Sequence, residues 1–162
     1  MAQMKYFYEL TISSSPHVHS ATTTKTIMRD VLIALAPAML VAVYVFGLRA
    51  ITVTAVSVAA CVFFEWLYCK MTGMHCKIYD LSACVTGVLL AFVCPVTIPY
   101  WTIVLGALFA IMLVKMLFGG LGRNVVNPAL AGRAFMMSWP VAMSTWIKVG
   151  LSNAADPFHP FV

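Results

Sequence analysis

The chain has few charged residues for its size. Only 9% of its 162 residues are Asp, Glu, Lys or Arg, while 62% are hydrophobic. A soluble domain has about 25% charged residues, and a water-soluble fold with so few could not cover its surface. The composition therefore excludes a soluble enzyme. It also excludes a nucleic-acid partner, because the net charge of +5 comes from ten basic residues spread between apolar runs.

The chain also lacks closely spaced metal ligands. Its five cysteines contain no CxxC pair, which argues against a zinc site or an iron–sulfur cluster, and we interpret them as small apolar residues of helices. They are Cys61, Cys69, Cys76, Cys84 and Cys94. His17 and His19 stand in a polar stretch and are interpreted as surface residues. We therefore predict no metal site, and no residue is predicted to be catalytic.

Long apolar runs predict an all-α polytopic membrane protein with the lipid bilayer around it. We expect a polar head over residues 1–26, a membrane domain over 27–141 and a tail over 142–162. About five transmembrane segments are predicted near residues 27–48, 50–68, 81–94, 101–117 and 128–141. The third has only 14 residues and is followed by Pro95 and Pro99, so it is expected to be a short or broken helix. An odd number of segments is typical of one half of an inverted-repeat protein.

The basic residues predict the orientation. With five spans and a cytoplasmic N-terminus, eight of the ten basic residues fall on the cytoplasmic side, as the positive-inside rule requires. These eight are Lys5, Lys25, Arg29, Lys70, Lys77, Lys115, Arg123 and Arg133. The tail after residue 141 is then external.

Three ionisable residues lie close to the predicted ends of the apolar segments. We expect Asp80 to cap the third helix and Lys115 to extend to the lipid headgroups. Glu65 is expected near the inner interface. A position at membrane depth, as a step on an ion path, is the alternative for all three.

A loop rich in glycine and asparagine follows the fourth segment, at residues 119–135. Gly120 and Gly122 would let the backbone approach a flat ligand. The amides of Asn124 and Asn127 offer donors and acceptors that match the pyrimidine edge of an isoalloxazine ring. Asn127 also precedes Pro128, a combination typical of a helix start. The spacing leaves two interpretations open, a flavin site and a plain turn with a helix cap.

Several ordered motifs resemble the D subunit of the Rnf electron-transport complex, a family paralogous to the B subunit of the sodium-pumping NADH:quinone reductase. They are Ser15-Pro16-His17, Thr23-Thr24, the stretch 27–38, Asp80-Leu81-Ser82-Ala83, Phe118-Gly119-Gly120-Leu121-Gly122 and the stretch 127–135. The resemblance implies a multi-pass component of a bacterial or archaeal plasma (inner) membrane. That complex passes electrons between ferredoxin and NAD and pumps Na⁺ or H⁺.

The resemblance also implies cofactors and a fold. In the related reductase a non-covalent riboflavin lies near the two Asn that match Asn124 and Asn127. The family attaches an FMN covalently to the Thr of a Ser-Gly-Ala-Thr motif, which this chain does not contain. We therefore expect the chain to be the amino-terminal portion of a longer subunit with a urea-transporter-like fold. The other subunits of the complex are the expected partners, with ferredoxin and NAD as indirect ones.

Other functions remain open from the residues alone. The broken third helix also fits half of a small-solute transporter or channel. The loop also fits a scaffold that binds only partner subunits. The resemblance leaves one more alternative, the B-type subunit of the sodium-pumping reductase, whose Asn-Pro-Ala loop is similar.

Overall fold

The computed structural model describes residues 23–73, 78–120, 122–124, 126–139 and 143. Most of the predicted head and tail, His17, His19 and Cys76 lie outside these residues. Within the described part, all the regular structure is helical. The helices are α1 (Thr24–Phe46), α2 (Leu48–Thr72), α3 (Ser82–Phe92), α4 (Tyr100–Leu108) and α5 (Pro128–Met136). A 3₁₀ turn at Ile78–Asp80 precedes α3, and a π-helix at Phe109–Met116 continues α4.

Among the described residues, two helices are long and apolar enough to cross a membrane, α1 with 23 residues and α2 with 25. Helix α1 buries none of its residues within the described part of the chain, and its exposed side chains include Ile33, Leu40 and Tyr44. An apolar helix without a packed face suits a lipid or protein environment better than water. The apolar helices Ser82–Phe92 and Tyr100–Met116 are shorter. The structure thus agrees with a polytopic membrane protein, while the inverted-repeat fold stays a prediction.

The ends of the first helices follow local sequence signals. Thr23 caps α1, where its side chain accepts a hydrogen bond from the Thr26 N–H. Gly47 separates α1 from α2 with a φ of 72°, a conformation that glycine adopts without steric cost. A side-chain acceptor and a positive φ thus set the two ends of α1.

The predicted break after the third helix is also confirmed. Helix α3 ends at Phe92, and irregular backbone continues to Pro99. Arg49 of α2 binds this irregular stretch. Its Nε donates to the Val96 carbonyl at 3.1 Å and its Nη2 to the Thr97 carbonyl at 3.4 Å. Its guanidinium thus donates to two backbone carbonyls of a stretch that has no regular helical hydrogen bonds.

Helices α2 and α3 pack at very short distance. Ser57 Oγ donates to the Gly87 carbonyl at 2.7 Å. A Cβ at Gly87 would lie 2.6 Å from the Cα of Val58. Only glycine fits at this crossing, which fixes α3 against α2.

Helix α5 packs against α4 and its π-helical extension. Phe135 stacks on Phe109 with ring centroids 4.4 Å apart, and Met136 is fully buried. The helix ends at Met136, five residues earlier than predicted. Pro140 follows in the sequence, and the residue before a proline disfavours helical backbone.

Candidate functional site

The described part of the chain buries two charged residues, and they form an ion pair. Lys115 is 1% exposed and Glu65 is 5% exposed. The Lys115 Nζ lies 2.9 Å from Glu65 Oε1. It also donates to Ser82 Oγ at 2.8 Å. Charges inside an apolar protein need such partners, because an isolated buried charge is very costly.

This network joins three helices. Glu65 belongs to α2, Ser82 begins α3, and Lys115 lies in the π-helical extension of α4. The Leu117 N–H bonds the Met112 carbonyl, and the Gly120 N–H bonds the Lys115 carbonyl. Both bonds span five residues, which is the wide turn of a π-helix, and such turns are frequent at functional sites.

The expectations for Lys115 and Asp80 were wrong. Lys115 does not extend to an interface. Its ammonium group is buried and donates to the Glu65 carboxylate and the Ser82 hydroxyl. Asp80 is not the helix cap either. That position is taken by Leu81, which makes no side-chain capping bond.

Leu81 has an unusual backbone conformation, with a φ of 59°. Residues other than glycine rarely adopt this backbone conformation, which costs about 1–3 kcal/mol. The strained residue directly precedes Ser82, so it sets where α3 begins and where the Ser82 hydroxyl lies.

The glycine-rich loop folds back onto the end of the π-helix. Gly119, Gly120 and Gly122 all have φ between 85° and 99°, so the turn needs residues without a Cβ. Asn124 donates both amide hydrogens to backbone carbonyls, that of Gly120 at 2.9 Å and that of Lys115 at 3.2 Å. This assignment of nitrogen and oxygen follows from the neighbouring hydrogen-bond partners.

Asn127 begins α5. Its Oδ1 accepts a hydrogen bond from the Ala129 N–H at 3.0 Å, and Pro128 takes the first helical position. The predicted cap is therefore confirmed. The backbone thus bonds one end of each amide, the NH₂ of Asn124 and the Oδ1 of Asn127. Among the described residues, the Oδ1 of Asn124 and the NH₂ of Asn127 have no hydrogen-bond partner.

A cavity of about 310 Å³ brings the loop and the ion pair together. Its wall is formed by Met28, Ser82, Val85, Thr86, Lys115, Asn124, Val126, Asn127 and Pro128. Gly120 and Gly122 do not line it, although Gly120 provides the carbonyl that fixes Asn124. Sequence reasoning placed the two asparagines together but missed Ser82, Thr86 and Lys115. The signal for Lys115 was an ionisable residue inside an apolar run.

A second cavity, of about 300 Å³, lies between α1, α2 and the break after α3. Its wall is almost entirely apolar, with Thr54 and Cys94 as the most polar members. It brings together no group that could carry chemistry. Within the described residues there is also no cluster of three or more His, Cys, Asp or Glu that could hold a metal ion.

Comparison with known proteins gives the family. The model described as the NQR2, RnfD, RnfE family matches residues 11–159. The chain belongs to this family. The match includes both asparagines, Ser82 and the buried ion pair. It confirms the resemblance to the Rnf D subunit that the sequence motifs carry.

Curated relatives of the chain are named as D subunits of such complexes. The chain is 46% identical over 152 residues to the D subunit of the Na⁺-translocating ferredoxin:NAD⁺ oxidoreductase complex from Acetobacterium woodii, covering 93% of the chain and 48% of the relative. It is 43% identical over 144 residues to the D subunit of the proton-translocating ferredoxin:NAD⁺ oxidoreductase complex from Clostridium ljungdahlii, covering 88% and 44%. It is 38% identical over 155 residues to the D subunit of the ion-translocating oxidoreductase complex from Shewanella frigidimarina, covering 93% and 44%. The chain thus spans about half the length of these relatives.

Proposed function

We propose that this chain forms part of the D subunit of a redox-driven Na⁺ or H⁺ pump, which passes electrons between ferredoxin and NAD. The family and the names of the relatives support this role. The other membrane and peripheral subunits of the complex would be its partners. The plasma membrane would be its location, with a cytoplasmic N-terminus.

We further propose that the cavity between α3, the π-helix and the loop holds a non-covalent flavin, riboflavin. One observation carries this proposal. Asn124 and Asn127 line the same cavity, and their backbone hydrogen bonds leave an acceptor on Asn124 and a donor on Asn127. The pyrimidine edge of a flavin offers one N–H donor between two carbonyl acceptors, so this pair of groups is complementary to it.

The cavity fits such a group in size and potential. Its volume of about 310 Å³ lies at the lower end of the ~300–1,000 Å³ range of ligand sites. The first residues of α5 lie at the wall, and the positive end of a helix dipole favours negative charge on a ligand. Lys115 adds a cation beside it. No residue is assigned to a covalent FMN, because the chain contains no Ser-Gly-Ala-Thr.

The residues of the cavity would bind and orient the ligand. A bound flavin supplies the capacity to accept and return electrons. Asn124 would accept a hydrogen bond from the ring N–H, and Asn127 would donate to a ring carbonyl. Met28, Val85 and Val126 would exclude water from the remaining surface. The carbonyls of Gly120 and Lys115 hold Asn124 in place by accepting its amide hydrogens.

The test is a pair of substitutions in the full-length protein, assembled in its complex. Asn124→Ala with Asn127→Ala leaves ligand groups unpaired at ~1–3 kcal/mol each, so we expect at least about a tenfold loss of affinity. The measurement is the non-covalent flavin released from purified complex by denaturation, per mole of complex. Covalent flavin should be unchanged.

A matched variant separates binding from folding. Asn127→Ser keeps a good helix cap but removes the NH₂ donor. We expect it to assemble like the unmodified protein and to hold the flavin more weakly. Full flavin content in both variants would mean that the loop is only a turn and a cap.

A further inference from the structure

The buried ion pair is not symmetric with respect to the cavity. Lys115 and Ser82 both line the cavity, whereas Glu65 does not. The Lys115 Nζ donates to the hydroxyl of the wall residue Ser82 at 2.8 Å, and it bonds Glu65 at 2.9 Å. The cationic residue of the pair and its hydroxyl partner therefore belong to the cavity wall, and the anionic residue does not.

The ion pair and Ser82 are shielded from solvent, which strengthens their electrostatic effect on the cavity. All three side chains are nearly inaccessible to solvent, with Ser82 and Glu65 each 5% exposed and Lys115 1% exposed. Interactions between charges are weakly screened at such depth. A structural ion pair would serve equally well with its carboxylate toward the cavity. The observed order places the cationic member of the pair at the wall that holds Asn124 and Asn127.

We infer that Lys115 is a positioning residue that favours the more negatively charged redox state of the cavity's ligand, and that Glu65 limits this effect. The inference rests on the proposed flavin site. When a bound ligand gains one electron from a reductant, the reductant loses that electron, and the ligand's charge falls by one unit unless a proton follows. The Lys115 cation stabilises this added charge, and the Glu65 carboxylate opposes it.

The two partners must therefore act on the reduction midpoint with opposite sign. Glu65→Gln removes the anion and keeps an oxygen that can accept from Nζ, so the midpoint should rise. Lys115→Met removes the cation and keeps a side chain of similar length, so the midpoint should fall. The double variant should lie between them. A tenfold change in relative affinity for the two redox states corresponds to ~59 mV for one electron, and we expect at least that difference between the single variants.

The experiment is a redox titration of the assembled complex with a chemical reductant, followed by flavin absorbance. Subtracting the titration of Asn124→Ala with Asn127→Ala isolates the flavin of this cavity. Lys70→Met is the control for loss of a lysine, because Lys70 lies in α2 but is exposed. It should leave the midpoint unchanged.

The signs decide the outcome. The inference is overturned if Glu65→Gln fails to raise the midpoint, or if Lys115→Met raises it. If Lys115→Met does not assemble, Glu65→Gln decides alone. If the asparagine double variant keeps its flavin, the proposed site and this inference both fail. If it loses its flavin and the midpoints do not move, only this inference fails.

Discussion

Substituting either residue of the buried ion pair alone should strongly lower the free energy of unfolding. Lys115→Met leaves the Glu65 carboxylate without its cation in a site that is 5% exposed. Breaking a buried pair from one side costs about 3–5 kcal/mol. Glu65→Leu is expected to cost a similar amount, because it leaves the Lys115 ammonium with a hydroxyl as its remaining partner.

Removing both charges should restore most of this loss. Lys115→Met with Glu65→Leu replaces the pair by apolar side chains, a change that is often neutral or stabilising by about 1–4 kcal/mol. The methylene groups of Lys115 already pack in this position, and Met retains most of that volume. The single variants should therefore destabilise the protein, and the double variant should not.

The assay is thermal unfolding of the purified full-length protein in detergent. In chains of about 150–250 residues 1 kcal/mol shifts Tm by about 2–4 °C, and in longer chains by less, so each single variant should lower Tm by several degrees. Lys70→Met is the control. Its Nζ lies 5.0 Å from the centre of the Trp66 ring, an exposed contact worth less than about 1 kcal/mol. Additive losses in the double variant would show that the two residues do not stabilise each other.

Two other predictions concern packing and topology. Gly87→Ala should cost about 1–3 kcal/mol, since its Cβ would lie 2.6 Å from the Cα of Val58; an unchanged Tm would refute the close crossing of α2 and α3. A reporter enzyme fused after Lys148 should be active only outside the cell, because seven of the nine basic residues other than the buried Lys115 are predicted on the cytoplasmic side. Cytoplasmic activity of that reporter would contradict the five-segment topology.

Local chemistry made part of this fold predictable. The Thr23 cap, the stop at Gly47, the break before Pro95 and the start of α5 at Asn127 each depend on a few neighbouring residues. Their physical causes are a side-chain acceptor, a positive φ or a missing N–H. Such causes can be found in a sequence because they act within one helical turn.

The ion pair could not be predicted in the same way. Lys115 and Glu65 are 50 residues apart, and their pairing depends on how α2 and the π-helix lie beside each other. The apolar runs around both residues gave a signal, since an ionisable residue inside such a run needs a partner. Proximity to the predicted helix ends suggested headgroups as that partner. The π-helix and the conformation of Leu81 left no recognisable signal in the sequence.

The two interpretations of the asparagine loop are not exclusive. Each amide has a donor end and an acceptor end, and the fold uses one end of each. Asn124 donates to the Gly120 and Lys115 carbonyls, and the Oδ1 of Asn127 accepts from the Ala129 N–H. The turn and the helix cap therefore leave one acceptor and one donor on two residues that line the cavity. Because capping requires only an oxygen, Ser would satisfy the cap at position 127, and the NH₂ of Asn makes no hydrogen bond with the part of the chain that the structure describes. If flavin binding falls in Asn127→Ser while assembly does not, the amide nitrogen serves the ligand and the oxygen serves the helix.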